Sequence, residues 1–586
     1  MTILAGVYSR HADNPIPEPL RAEVQRAISR HPGETPDTFS DDRCLLVKAD
    51  VGAYGAAARR VDSAAATFMV GEPLLADPDL RRRPRSADLD ELHSALVHDD
   101  DSPLSRVRGV FALAHYRIDT GTLVLVTDKL GIRPMYYWLG ERYVIFATAM
   151  RILEGIAEVP KCMNLRGVTE LSAFGFPLAD RTAYDRVSLL MSGELAQFSS
   201  GNVVRRRYWN WDVIQPSARP VSELAKRSYD RFGDAISLRL GNDRKAAAFL
   251  SGGLDSRAIV CALRERGVEL RTFNFALPGT QDQVFGAAFG KRVGVAHVEA
   301  PMKPGHPAWS MMMAQALAAH PAPSGARSER PQVVWAGDGG SVALGHVYLD
   351  AKMVGLARAD NSAELVELLN GKWGAEVPRR LMRSSVTESQ SHTTRRGLLD
   401  EFKRIETSDR GRALHLLLMY NDQRRHLAEH FEGIDIHRLE FELPFFDSDF
   451  VASVLEVPID ICLGHGFYMQ WLRHFPEVIV SVPWQAYPGH VPCPLPVPPE
   501  LGYQWEHNQS RGIRDAQKRN LIEQANTILR MPHFPHELMN RSFLRLATLL
   551  YQWKVRDLAY VIRTAVTYYH YWSRSGGKVA PPPGDA

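Results

Sequence analysis

The stretch Phe249-Leu250-Ser251-Gly252-Gly253-Leu254-Asp255-Ser256-Arg257 constrains this chain more than any other. Upstream, Lys245 to Leu250 is a short apolar run that reads as a buried parallel strand. Downstream, Ile259, Val260, Ala262 and Leu263 lie in a helix that Gly267 is placed to stop. Strand, Ser-Gly-Gly turn and helix make a phosphate cradle. The glycines let the backbone approach an anion, and the free N–H groups and positive end of the helix face it. Asp255 sets a carboxylate beside the cradle, where a magnesium ion bridging phosphates has a place. The nucleotide-binding candidates are therefore Leu250, Ser251, Gly252, Gly253, Leu254, Asp255 and Ser256, with Asp255 also a metal candidate.

This string resembles the pyrophosphatase loop of the asparagine-synthetase family, an ATP-dependent, AMP-forming group that adenylates a carboxylate and passes it to an amine. It is not a Walker loop, since no G-x-x-x-x-G-K-[ST] occurs. The resemblance implies ATP and magnesium as cofactors. Farther on, the strand and turn Arg271 to Gly279, Asp282, a helix from Val284 to Val293 and Gly294-Val295-Ala296-His297 resemble the family's next βα unit. By that resemblance Phe275 lies near the adenine. His297 reads as a packed or hydrogen-bonding histidine.

The bulk properties narrow the class. A length of 586 residues predicts several units. A formal charge of +3 gives no reason to expect nucleic acid or an anionic membrane as the partner. The five cysteines lack C-x-x-C spacing, so neither a disulfide framework nor a zinc site is predicted and a reduced cytoplasm fits. Met1-Thr2-Ile3-Leu4-Ala5-Gly6 lacks the start of a signal peptide, and no apolar run approaches transmembrane length.

Residues 1–212 read as β-rich, with strand-like runs at Val124-Leu125-Val126-Thr127 and Tyr143-Val144-Ile145-Phe146. Gly109-Val110-Phe111-Ala112, the run Asp128 to Tyr137 and Phe146-Ala147-Thr148 resemble the class II glutaminase domain that precedes the synthetase domain in this family. The family's nucleophile is an N-terminal cysteine followed by Gly and Ile. Here the matching stretch is Ala5-Gly6-Val7, and alanine is no nucleophile. Thr2 is the alternative, were it to become N-terminal. The expectation is a degenerate domain, with the amine supplied by the substrate. Arg81-Arg82-Arg83-Pro84-Arg85 and Asp99-Asp100-Asp101 read as solvated loops. Met311-Met312-Met313 reads as core filler, with a substrate mouth as the alternative.

A second constellation, Val333-Val334-Trp335-Ala336-Gly337-Asp338-Gly339-Gly340-Ser341, is again a strand ending in a Gly-rich turn. In a doubly wound sheet such turns gather at the carboxyl edge, where ligands bind. By the resemblance, Ala336 and Gly337 contact the nucleotide and Asp338 holds the position linked to amine activation. Ser341 stands where the family has a metal-binding aspartate, and serine is a poor magnesium ligand. Asp338 is the expected replacement, with Asp282 or water as alternatives. The chain from Glu364 reads as mostly helical. Leu443-Pro444-Phe445-Phe446-Asp447 resembles a family turn, but Glu442 replaces its usual arginine. Gly466 to Leu472 replaces a helix that contains lysine and arginine in the family, and Pro483 to Pro494 lacks the family's catalytic lysine. Gln485 enters the candidate catalytic set beside Asp338, although an amide carries no charge. Arg473, His474, His490 and Lys518 are the candidates to supply that charge.

The expected fold is α/β. An N-terminal αββα glutaminase-like, Ntn-type sandwich spans 1–212, a doubly wound parallel-sheet ATP-pyrophosphatase domain with added helices spans 213–576, and 577–586 form a disordered tail. The expected activity is amide-bond formation between a carboxylate and an amine of a peptide or small molecule. Glutaminase-dead members of the family include lasso-peptide cyclases and β-lactam synthetases, and overall length and the altered C-terminal region look most like the former. That likeness implies macrolactam formation in a precursor peptide, with a precursor-processing peptidase as partner. A small-molecule amide synthetase is the alternative of the same chemistry. A catalytically inactive nucleotide-binding scaffold is the alternative of another class, and ATP turnover to AMP discriminates it.

Overall fold

Alternating apolar residues build two antiparallel sheets from the first part of the chain. A computed structural model describes residues 2–55, 58–75, 82–300, 328–373, 377–390, 392–503 and 511–580. Met311 to Met313 and Arg81 lie outside the described residues. The strands are β1 (Thr2–Ser9), β2 (Asp37–Ser40), β3 (Cys44–Asp50), β4 (Arg59–Val61), β5 (Ala65–Gly71), β6 (Phe111–Arg117), β7 (Thr122–Thr127), β8 (Tyr136–Leu139), β9 (Tyr143–Ala147), β10 (Val187–Leu189), β11 (Glu194–Ser199) and β12 (Asn202–Arg207). One sheet runs β10-β8-β9-β1-β3-β2 and the other β12-β11-β7-β6-β5-β4. Leu4, Tyr8, Leu46, Phe68 and Ala114 fill the space between the sheets. On the outer faces, Ile3, Ala5 and Val7 pack with Leu20 and Val24 of α1 (Glu18–Ala27), and Met69 and Leu113 with Leu89 and Leu92 of α2 (Arg85–Val97). The layers are thus helix, sheet, sheet, helix, because each sheet has two apolar faces to bury.

The next sheet is parallel and runs β15 (Ala296–Glu299), β14 (Glu269–Asn274), β13 (Lys245–Phe249), β16 (Val333–Trp335), β17 (Glu440–Glu442). The chain winds outward from β13 to β15, then returns to β13's other side for β16 and β17. Strand order therefore reverses beside β13, which opens a crevice at its carboxyl end. After α3 (Met150–Gly155) and α4 (Leu165–Phe174) come α5 (Val221–Leu240), α6 (Leu254–Glu265) and α7 (Gln281–Val293). α6 stops where Gly267 takes a φ of +72°.

Buried ion pairs join the two parts. Asp447 accepts from Arg108 at 2.9 Å and from Arg239 at 2.7 Å, and Glu440 accepts from Arg133 at 2.6 Å. Glu442, an arginine in the resembled family, is buried and pairs with Arg330 at 2.7 Å. It also lies 3.9 Å from Arg82 of the antiparallel part, so the substitution serves the junction.

Two expectations need correction. Arg82 and Arg85 are not solvated: Arg82 lies at Glu72, and the buried Arg85 lies 2.8 Å from Asp50. The tail is placed as far as Ala580, since Met163 N–H donates to Lys578 O and Ala580 N–H to Met163 O, both at 2.9 Å; residues 581–586 lie outside the described residues. Ala5 is fully buried in mid-β1, opposite Val47 and Ala147 and facing the outer helix layer. The residue that the resemblance sets at the nucleophile's position is thus a core alanine of β1. The strand begins three residues earlier at Thr2, whose backbone lies opposite Asp50.

Candidate active site

Leu250 to Gly253 carry the chain from β13 into α6 at the carboxyl edge of the parallel sheet. The turn holds itself in shape. Ser251 N–H donates to Ser256 Oγ at 3.0 Å, and Gly253 N–H to Ser251 Oγ at 3.2 Å. Gly252 N–H donates to Asp282 Oδ1 at 2.7 Å. A Cβ on Gly252 would come within 2.7 Å of Asp282 Cα, so glycine is what lets the first turn of α7 dock there. Asp282 Oδ1 is thereby occupied with the loop. The seven predicted residues divide: Ser251, Gly253 and Asp255 reach the surface of the crevice, while Leu250, Gly252, Leu254 and Ser256 are its buried frame.

Asp255 sits where the two Gly-rich turns meet. Its Oδ1 accepts from Tyr468 Oη at 2.6 Å and its Oδ2 from Ser341 Oγ at 2.7 Å. Tyr487 Oη donates to Ser341 Oγ at 3.3 Å. A Cβ on Gly340 would fall 2.4 Å from Asp255 Cγ, and Gly339 adopts a φ of +91° with Phe446 behind it, so this turn requires both glycines. Burial pushes the Asp255 carboxyl up to about 6, opposed by the Tyr468 and Ser341 hydroxyls and reinforced by Asp338.

Asp338, on the same turn as Ser341, approaches His426 with 3.6 Å between Oδ1 and Nε2. That carboxylate raises the His426 pKa. Among the described residues, no group of three or more His, Cys, Asp or Glu forms a metal cage. Magnesium does not need one, since it usually takes one or two carboxylates and fills its shell with phosphate oxygens and water. Asp338 raises the Asp255 carboxyl, and neither residue has a lysine or arginine in ion-pair contact among the described residues, which fits such a cation.

The remaining candidates fall on different sides of the site. Phe275 is partly exposed at the end of β14, edge-on to Phe249 at 5.4 Å, and is free to face a base. Gly337 packs on the loop, where a Cβ would lie 3.1 Å from Ser256 N. Ala336 is fully buried and its N–H donates to Glu442 O at 3.0 Å, so its side chain does not reach a ligand. Gln485 does meet the loop, its N–H donating to Gly252 O at 3.0 Å, with Oε1 buried and unpartnered.

Of the candidates to replace the lysine's charge, Arg473 is exposed and bonded to Gln470, His474 packs on Tyr229, and Lys518 lies on the separate helix Arg511–Arg530. His490 alone is nearby, 4.5 Å from His465, which packs on Tyr468. The cation closest to the cradle is Arg257. It is fully buried and donates to Val482 O at 2.8 Å, Pro483 O at 2.6 Å and Gly252 O at 3.2 Å. No carboxylate is in ion-pair contact with it among the described residues, and Phe289 lies beneath its guanidinium at 4.9 Å. Sequence reasoning missed Arg257, Tyr468, Tyr487 and His426. A charged residue in the otherwise apolar face of α6 was the available signal for the first; His426 had none.

Comparison with known proteins agrees with this architecture. Residues 85–209 match a family described as glutamine amidotransferase domain, and residues 228–480 match one described as asparagine synthase. A stretch of 182 residues is 27% identical to a Methanocaldococcus jannaschii protein named "Putative asparagine synthetase (glutamine-hydrolyzing) 2", covering 30% of this chain and 35% of that one. Another of 191 residues is 25% identical to asparagine synthetase (glutamine-hydrolyzing) 1 of Bacillus subtilis, covering 32% and 30%. A third of 182 residues is 24% identical to Amidase chyE of Penicillium rubens, covering 30% and 26%. The chain thus spans about a third of the length of the curated relatives it matches.

Proposed function

We propose that the chain is a member of the asparagine synthetase family, on its matches to an asparagine synthase and a glutamine amidotransferase family, and that it is an ATP-dependent, AMP-forming ligase joining a substrate carboxylate to a substrate amine. The observation that carries the reading is the meeting of the two Gly-rich turns at Asp255, on the carboxyl edge beside β13. The substrate carboxylate displaces pyrophosphate from the α-phosphorus of ATP, and an amine then displaces AMP from the acyl adenylate. Magnesium, held by Asp255 and Asp338, would offset phosphate charge.

The chain's own residues do the rest. Ser251, Gly253 and the uncapped start of α6 receive the phosphates. Arg257 fixes the Gly252 carbonyl and the Val482–Pro483 backbone to one point, and places a cation under the cradle in the absence of the family's lysine. Asp338, with His426 behind it, orients and deprotonates the amine. The substrate we favour is a peptide whose own carboxylate and amine are joined, as in macrolactam formation of a lasso precursor supplied by a processing peptidase. A small-molecule amide or β-lactam synthetase uses the same chemistry. An inactive nucleotide-binding subunit is the second reading, favoured by Ser341, by Gln485 in place of lysine and by the capping of both Asp255 oxygens. The test is release of AMP and pyrophosphate from ATP with candidate peptides, with mass spectrometry of the peptide. Loss of water from the peptide supports ligation, and ATP binding without turnover supports the inactive reading.

A further inference from the structure

Between the two domains lies a cavity of about 710 Å³, a volume ordinary for a small-ligand site. Its walls come from three parts of the chain: Tyr136, Glu154 and Tyr184 of the antiparallel half, Asp422, His426 and Glu432 of the helical region, and Tyr571 and Arg574 of the last helix, Ala559–Arg574. At one end His426 turns toward Asp338, 3.6 Å away. The cavity therefore opens onto the proposed amine-activating carboxylate, which lies within electrostatic reach of Asp255.

The charges facing this space are not balanced. Each arginine on its wall is already engaged: Arg151 donates to Ala27 O at 2.7 Å and Ile28 O at 2.9 Å and pairs with Asp435 at 3.1 Å. Arg574 pairs with Glu154, whereas Arg425 donates only to carbonyls, Ala179 O at 3.2 Å and Arg181 O at 2.9 Å, and so keeps a charge that acts on Glu432; one such cation faces the two carboxylates Glu432 and Asp422. Glu432 accepts from Tyr136 Oη at 2.8 Å, and Asp422 accepts from Gln423 Nε2 at 2.7 Å. Neither Glu432 nor Asp422 has a lysine or arginine in ion-pair contact among the described residues. Burial raises both carboxyls, Glu432 to about 7, as expected of partly buried acids without a close counter-ion. Aromatic rings of Tyr136, Tyr184 and Tyr571 make the rest of the wall suited to an apolar stem.

We propose that this cavity binds the amine-bearing substrate, a primary ammonium on an aromatic or aliphatic stem, with Asp422 and Glu432, the latter giving up its proton as the ammonium binds, as its counter-charges. The cavity's role in the reaction rests on the ligase reading above, whereas its preference for a cation does not. In that role the ammonium gives one proton to the Asp338–His426 pair. The freed nitrogen lone pair forms the C–N bond at the adenylate carbonyl, the C–O bond to AMP breaks with its electrons on the phosphate oxygen, and the second nitrogen proton leaves to solvent.

The test uses the whole protein without ATP, so its failure is separate from failure of the ligase reading. Phenethylammonium and its neutral N-acetyl derivative are titrated in parallel by calorimetry. Saturable ammonium binding at least tenfold tighter than the acetamide is expected. Glu432→Gln should weaken the ammonium at least tenfold and leave the acetamide unchanged. Ala428→Phe, which fills the cavity without altering charge, should abolish both, and thermal melting checks that each variant is folded. Equal binding of the two probes, no saturable binding, or ammonium binding unaltered in either folded variant overturns the proposal.

Discussion

The Ser341 hydroxyl donates a 2.7 Å hydrogen bond to Asp255, so the residue that replaces an expected aspartate touches the carboxylate it would have partnered. The contact fixes the relative position of the two turns while leaving one negative charge where the resembled family has two. Ser341→Asp should therefore behave as a switch. Without magnesium, two carboxylates at this distance repel and the melting temperature should fall. Millimolar magnesium should restore it and stabilise the variant more than the wild type. An unchanged melting temperature in both conditions would mean that the position does not face a cation.

Asp255→Ala should abolish pyrophosphate release while the protein stays folded, because the residue opens α6 at the surface of the crevice and its hydroxyl partners can turn to water. Activity within tenfold of wild type, about 1.4 kcal/mol in barrier, would rule out a required carboxylate there.

Asp338 and Asp255 should be separable. Asp338→Asn keeps the size and loses the base, and general-base loss typically costs about a hundredfold to ten-thousandfold. Pyrophosphate should still appear, through hydrolysis of the adenylate, while dehydrated product does not. Equal loss of both would make Asp338 a magnesium ligand and would leave His426 without a role in deprotonation.

The nitrogen source can be measured directly. We expect purified protein to release no glutamate from glutamine. Release that disappears in Thr2→Ala would instead identify an N-terminal threonine nucleophile, which is the position at which β1 begins.

Glu432 should write its burial into the pH dependence of stability. Its carboxyl titrates near 7 in the folded protein against about 4.3 in a free chain. Between those values the folded state binds the extra proton, so the wild type loses stability as pH rises through this window. Glu432→Gln removes that term. The wild type should gain on the variant by on the order of 1–3 kcal/mol between pH 7 and pH 4.5, read as a shift in denaturant midpoint. A difference that is constant with pH would show that the carboxyl is not held neutral.

Local pattern made much of this protein legible. An apolar run, Ser-Gly-Gly and a helical face specify strand, turn and helix wherever they occur, and the second Gly-rich turn follows by the same logic at Gly339 and Gly340. The division into an antiparallel half and a parallel half is likewise readable, because strand periodicity and the length of the connections are local. The identities of the groups around each charge were not. Asp255 takes its partners from 86 and 213 residues away, and Arg257 donates to carbonyls 225 and 226 residues along the chain. Composition and spacing do not encode such meetings. They also left the burial of Ala5 unread, because a short Ala-Gly-Val match does not say which face of a strand is buried. What the sequence by itself determined was the cradle and the kind of sheet that presents it. Tertiary packing decided what surrounds the cradle: a serine and a tyrosine at the aspartate, a second tyrosine on that serine, a buried arginine beneath the loop, and a cavity behind His426 with two carboxylates outside any ion pair among the described residues. Those outcomes depend on which distant surfaces exclude water together, and burial sets the energy of every charge involved.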